Sequence, residues 1–181
     1  MTDKVILTGT PQEKITTCLK TAGWYKGRKA DLTEARAFYA SGGITLPAGA
    51  ERFLEEYHGL SSGWYLNVPL EQQKGRAPDV EFNIIPDGSW ATKSYFEECY
   101  AAEYAENLQK ISDFAGEQLV WVASIGYYYS ESVYMGSTDK LFVLRDDGKI
   151  RTYYSVTDML LWDFEHHPQW EYVTVRSHTK E

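Results

Sequence analysis

Cysteine is scarce: the 181-residue chain has two, Cys18 and Cys99, far apart and in unrelated contexts. This excludes a disulfide framework and a CxxC metal site, and matches reduced, intracellular usage. Long apolar runs are missing as well. No stretch approaches the ~18 consecutive apolar residues of a spanning helix, and Met1 to Thr10 carries no basic end, long apolar run or cleavage site of a secretory signal. A cytoplasmic protein without membrane contact is expected. Positive charge is in deficit: 18 Lys and Arg face 26 Asp and Glu, for a net charge of −8. Such a field repels phosphate backbones, so direct nucleic-acid binding is disfavoured.

Motifs that carry common reaction mechanisms do not occur. There is no nucleophile elbow, Walker loop, dinucleotide fingerprint or HExxH pair, and no enzyme activity, cofactor or metal is expected. His166 and His167 are adjacent, so on a helix they diverge by about 100° and cannot share a metal as an i, i+4 pair would. Those two and His58 suit polar helix ends, where a cation complements the dipole. The carboxylate pairs Glu55-Glu56, Glu97-Glu98 and Asp146-Asp147 are sequence neighbours, which rarely face one cleft together. Helix faces and hairpin geometry account for them. A site assembled from distant residues would leave no local trace.

What is present describes one globular domain spanning residues 1–181. Hydrophobic residues make up 43% and charged residues 24%, and a chain this long buries roughly 70% of its unfolded surface without a staple. The acidic excess is uneven. Met1 to Leu60 holds eight basic residues against seven acidic, while Ser61 to Glu181 holds ten against nineteen. This is either ordinary solubility charge or a field that steers a basic partner. Tyr supplies 14 of the aromatic side chains, a residue suited to cores, half-wet sheet faces and protein interfaces.

Helix signals dominate the first third. Thr10-Pro11-Gln12-Glu13 is a capping box with Pro at the first helical position, followed by Ile15, Cys18, Leu19 and Ala22 at helical spacing, and Gly23 ends the run. Asp31 caps a second helix over Leu32 to Ala40, with Glu34 completing a similar box. A third runs from Pro47 to Tyr57 with Ala50, Phe53, Leu54 and Tyr57 on one face. Trp64 to Val68 and Val80 to Ile85 then read as strands. Ser94 to Ile111 is an acidic amphipathic helix with Glu97, Glu98, Glu103 and Glu106 outward. Leu119 to Tyr129, Leu141 to Leu144 and Lys149 to Tyr154 are further strands, the last two joined at Asp147-Gly148 by a tight hairpin. Val156 to Glu165 is a helix capped by Ser155, and Trp170 to Val175 a final strand before a frayed tail. Without βαβ alternation this predicts an α+β fold: a mainly antiparallel sheet of about five to six strands, with N-terminal helices and further helices packed on one side.

One segment offers more than packing. Tyr127, Tyr128 and Tyr129 precede Ser130, Glu131, Ser132 and Tyr134, a loop that could present adaptable donors beside rigid anchors. With the acidic Glu97 and Glu98, these form the candidate partner-binding set.

Three pieces, taken in order, point to a family: Ala22-Gly23-Trp24-Tyr25-Lys26-Gly27-Arg28, then Ala50 to Leu60 (AERFLEEYHGL), then Ser124-Ile125-Gly126. Leu141 to Leu144 and Asp146-Asp147-Gly148-Lys149-Ile150 follow. Their order and spacing resemble the SUKH superfamily, which includes the Smi1/Knr4-like proteins, and look most like its third subgroup of bacterial immunity proteins. The resemblance covers roughly residues 10–165, leaving 166–181 as a C-terminal extension. Gly23, Trp24, Arg28, Gly59, Leu60, Gly126 and Gly148 are its structural positions. Gly23 suits a left-handed cap, Trp24 a core plug, Arg28 a pin onto carboxylate or carbonyls, and Gly59-Leu60 a second cap.

The resemblance implies a monomeric, non-catalytic domain that binds and neutralises a cognate polymorphic or contact-dependent toxin, often a nuclease. Two other readings stand beside it. One is a regulatory interaction scaffold of the Smi1/Knr4 kind. The other is a small-ligand or carbohydrate-binding module using Trp64, Tyr65, Trp90 and the Tyr127 cluster. The stretch Gln72 to Trp90 and the tail beyond His167 match none of the family's motifs.

Overall fold

Thr10 and Glu13 close a reciprocal capping box. The Glu13 N–H donates to Thr10 Oγ1 at 3.3 Å and the Thr10 N–H to Glu13 Oε2 at 2.7 Å, and helix α1 (Pro11–Thr21) follows. The Thr10 N–H, and after it the Thr10 hydroxyl, hold the Glu13 carboxyl below its ordinary range. The computed structural model describes residues 3–60, 63–66, 79–86, 102–127, 131–145, 147–165 and 172–175.

Helix α1 ends in a Schellman turn: the Trp24 N–H bonds the Leu19 carbonyl at 2.9 Å and the Gly23 N–H that of Lys20 at 3.0 Å. Gly23 adopts a φ of 101°, which a side chain would resist. Helix α2 (Thr33–Ser41) starts a residue later than the sequence pattern indicates. Asp31 Oδ1 accepts from the Thr33 N–H and hydroxyl, an Asx turn that leaves Leu32 at the cap position. Helix α3 (Ala48–Tyr57) begins after Pro47, with Gly49, Ala50, Phe53 and Leu54 buried. Helix α4 (Ala102–Ala115) and helix α5 (Val156–Glu165) come later in the chain. As Ser155 predicts, its hydroxyl accepts from the Asp158 N–H at 3.0 Å at the start of α5.

The strands are β1 (Asp3–Ile6), β2 (Gly63–Leu66), β3 (Asp79–Ile84), β4 (Val120–Tyr127), β5 (Glu131–Met135), β6 (Leu141–Leu144), β7 (Ile150–Tyr153) and β8 (Tyr172–Val175). They form one antiparallel sheet in the order β1-β8-β2-β3-β4-β5-β6-β7. The α+β class and the antiparallel sheet agree with the sequence reading, and the sheet is two strands wider. The additions are β1 and β5; the second occupies part of what reads as a tyrosine-rich loop. Strand β8, placed by sequence in an extension beyond the resemblance, lies between β1 and β2.

Alternation along β5 and β6 shows how both faces are covered. Val133, Met135, Leu141 and Val143 point into the main core with Ile15, Tyr39, Leu54, Phe82 and Met159. Helices α1, α2, α3 and α5 supply the other side of that core, each fully buried Leu, Ile or Phe contributing about 1.5–3 kcal/mol. Tyr134 and Phe142 point the other way and meet Ile111 and Leu119 beneath α4. The helices therefore do not all lie on one side. A sheet whose alternate residues are apolar on both faces needs a cover on each.

Two polar contacts anchor the main layer. Strand β4 carries a register shift between Trp121 and Ala123 in its pairing with β5. The buried Tyr39 hydroxyl of α2 donates to the Trp121 carbonyl at that irregularity, at 2.5 Å. At the start of α3, the Ala50 N–H donates to the Gly136 carbonyl at 3.2 Å, satisfying an orphan donor from the β5–β6 turn. A Cβ at Gly49 would overlap the Thr138 carbonyl, so only glycine permits this approach.

Candidate functional site

The two most specific pieces of the resemblance, 31 residues apart at Arg28 and Gly59, meet as one joint. Arg28 donates Nη1 to the Glu56 carbonyl at 2.9 Å and Nη2 to the His58 carbonyl at 2.6 Å, placing a cation over the orphan carbonyls that end α3. Trp24 packs half-buried on the core and donates Nε1 to the Glu56 carboxylate at 2.8 Å. The Ala30 N–H bonds the Glu55 carbonyl at 2.7 Å, and Lys29 pairs with the Glu55 carboxylate. Gly59 and Leu60 do not repeat the Schellman arrangement. The Leu60 N–H reaches Tyr57 with His58 extended (φ −58°, ψ 136°) and Gly59 left-handed (φ 74°), a type II turn. Leu60 is buried there, close to Gly23.

His58 is 7% exposed and its Nδ1 has no hydrogen-bond partner among the described residues. Burial pushes its pKa down; Glu34 and Asp31 pull the other way, and Arg28 adds to the depression. The neighbouring Tyr57 phenol is raised above its ordinary value, first by burial and then by Glu56. Together these groups hold the fold.

Two of the seven sequence-predicted contact residues, Tyr134 and Glu131, are described with their side chains, and neither lies on an open surface. Tyr134 is 2% exposed, facing Ile111 and Phe142 under α4, and is corrected to a core residue. Glu131 is also corrected. Its carboxylate is bonded to Arg145 with side-chain exposures of 11% and 2%, and Arg145 Nη2 donates to the Tyr153 hydroxyl at 3.0 Å. Tyr127 closes β4 opposite Val80, while Tyr128, Tyr129, Glu97 and Glu98 lie outside the described residues. Gly126 sits in β4 opposite Glu81. Gly148, with φ 74°, donates to the Arg145 carbonyl in the β6–β7 turn. The side chains of Trp64, Tyr65 and Trp90 are likewise outside the described residues.

Sequence reasoning missed two features. The first is the Arg145 cluster, where Arg145 and Arg151 lie 6.0 and 4.0 Å from the Trp162 ring centroid. Its signal is register: Leu141 and Val143 face inward, so Arg145 at the next alternate position does too. The second is an open groove of about 630 Å³ along α4, lined among the described residues by Ala105, Leu108, Gln109, Ser112, Asp113 and the Gly116–Gln118 segment. The helix continues past Ile111, where the sequence reading ends it, through Ala115 to Gly116 at φ 72°.

Among the described residues no group of three or more His, Cys, Asp or Glu is placed to hold a metal ion, and no helix is long and apolar enough to cross a membrane. Comparison with known proteins returned no match from family models, curated proteins or solved structures.

Proposed function

We propose that this protein is a non-catalytic, cytoplasmic immunity protein of the SUKH kind, which binds and neutralises a cognate toxin domain, a nuclease by preference, through steric and electrostatic blockade. One observation carries the reading. All five arginines among the described residues are bonded within the chain. Arg28 holds carbonyls, Arg36 holds Glu51, Arg52 holds Asp139, Arg145 holds Glu131 and Arg151 holds Asp147. These five bidentate groups, of the kind that phosphate recognition favours, are thus directed to the fold, and the net charge of −8 favours a basic partner. A toxin that binds nucleic acid has such a basic face, and an acidic inhibitor is steered onto it.

The test is coexpression with the toxin encoded by the neighbouring gene. Cells survive, the pair copurifies one to one, and the association rate falls as salt rises. Equal killing with and without the protein, together with failure to copurify, overturns the reading.

A further inference from the structure

The groove beside α4 is separate from the joint formed by Trp24, Arg28 and α3, and none of the motif residues lines it. We infer that it receives a basic segment of a partner protein, a stretch of chain carrying Lys or Arg beside an apolar side chain. The inference rests on the protein-binding reading above and names the surface that reading leaves open.

Ala105, Leu108, Gln109, Ser112 and Asp113 recur at three- and four-residue spacing, so one stripe of α4 forms the wall. A cleft of about 630 Å³ falls within the size range of ligand-binding clefts. Leu108 and Ala105 give it an apolar stretch, while Gln109, Ser112 and Gln118 add hydrogen-bonding groups. The groove ends at the C-terminus of α4, whose dipole is negative there, and the last turn holds no basic residue to offset it. Asp113 and Glu117 add two carboxylates, and no Lys or Arg is among the described lining residues; Lys110 lies on the next stripe of the helix. Glu117 is already bonded to the Ser137 N–H and hydroxyl at 2.7 and 2.6 Å, so it supplies field from a fixed position. Asp113 is exposed, engaged at 2.7 Å by Gln109 of its own helix, and is the carboxylate an incoming cation would meet. Negative potential at one end beside apolar wall fits a basic amphipathic segment, and disfavours an acidic or purely apolar one.

The experiment titrates the full-length, isotope-labelled protein with a synthetic ten-residue peptide of alternating Lys and Leu, and separately with its Glu/Leu counterpart, following backbone amide shifts. The expected result is saturable, salt-weakened shifts concentrated in residues 105–118 with the Lys peptide and none with the Glu peptide. Asp113→Lys weakens binding about tenfold. This variant places a cation in an exposed last helical turn, where it suits the dipole and the chain folds. Glu34→Lys, an equal charge change on the opposite face of the sheet, leaves binding within about twofold. Shifts scattered over the surface, equal weakening by both variants, binding of the Glu peptide, or self-association mapping to α4 each overturn the inference. If toxin neutralisation succeeds in coexpression while Asp113→Lys protects and binds the toxin as well as the parent, the groove is removed and the neutralising function stands.

Discussion

Arg145 stands across from Glu131 one step beyond the Ser132–Leu144 pair of β5 and β6, guanidinium bonded to carboxylate, with side-chain exposures of 2% and 11%. Both are on the face otherwise filled by Val133, Met135, Leu141 and Val143. Removing one member leaves a desolvated charge, so Glu131→Ala lowers unfolding free energy by about 3–5 kcal/mol. The double replacement Glu131→Leu with Arg145→Met recovers most of that loss, because an apolar pair needs no desolvation. Urea unfolding of Glu131→Leu, Arg145→Met and the double settles it: additive losses would show that the pair is not coupled.

Gly49 and Gly43 make a second, paired prediction. A side chain at Gly49 would overlap the Thr138 carbonyl and approach that of Gly136 at 2.7 Å, backbone that cannot swing aside. Gly49→Ala therefore removes about 3 kcal/mol or more, or leaves the chain unfolded. Gly43 has φ 73° but nothing within 4 Å of the point where a Cβ would stand, so Gly43→Ala costs about 1 kcal/mol from the backbone alone. Thermal and urea midpoints for both variants compare these costs directly, and equal losses would refute the close approach of α3 to the β5–β6 turn.

Local chemistry is legible in the sequence and long-range pairing is not. Thr10 and Glu13 bond within three residues, and Gly148 closes a turn of its own, so both stand out in any short window. Strand β5 is hidden because Glu131 and Ser132 look like loop residues until Arg145, 14 positions on, supplies a partner. Tyr134 reads as surface because tyrosine tolerates water. It is buried only because α4 crosses the second face, and an amphipathic pattern does not say which face it covers. The joint is readable in part. Arg28 reads as a pin onto a carboxylate or carbonyls, and it takes two carbonyls at the end of α3. The groove is not legible: Leu108 and Ile111 read as one buried stripe, and the helical period does not say that Leu108 also borders an open groove with Ser112 and Asp113.

His58 makes stability depend on pH with a definite sign. Its pKa is lowered below 6.5 in the folded chain, first by burial, so the unfolded chain binds more protons as acidity increases. The stabilising contribution of the neutral imidazole is present above the unfolded value of 6.5 and is lost as pH falls through the folded pKa. Glu34 and Asp31 oppose this and Arg28 reinforces it, so the shift is the balance of groups from α2, the preceding loop and the joint itself. Urea midpoints measured from pH 7.5 down to about pH 5 should fall, and His58→Asn should flatten the part of the decline belonging to this group. An unchanged slope in that variant would assign the dependence elsewhere.

Cys18 offers a chemical readout of global opening. It is fully buried between Ile15 and Leu19 on the inner face of α1, and burial pushes its thiol up to about 12. Alkylation requires a thiolate that the reagent can reach, and the folded chain supplies neither. In a Cys99→Ser background, labelling of Cys18 by iodoacetamide at pH 8 should be slower than that of the unfolded chain by the fraction of molecules open at any moment. Added urea should then speed it in step with the unfolding equilibrium. Mass spectrometry of the intact chain follows the reaction. Labelling of the native protein at the rate of a free thiol would mean that α1 detaches from the sheet on its own, and that the contact between α1 and α5 is not part of the cooperative unit.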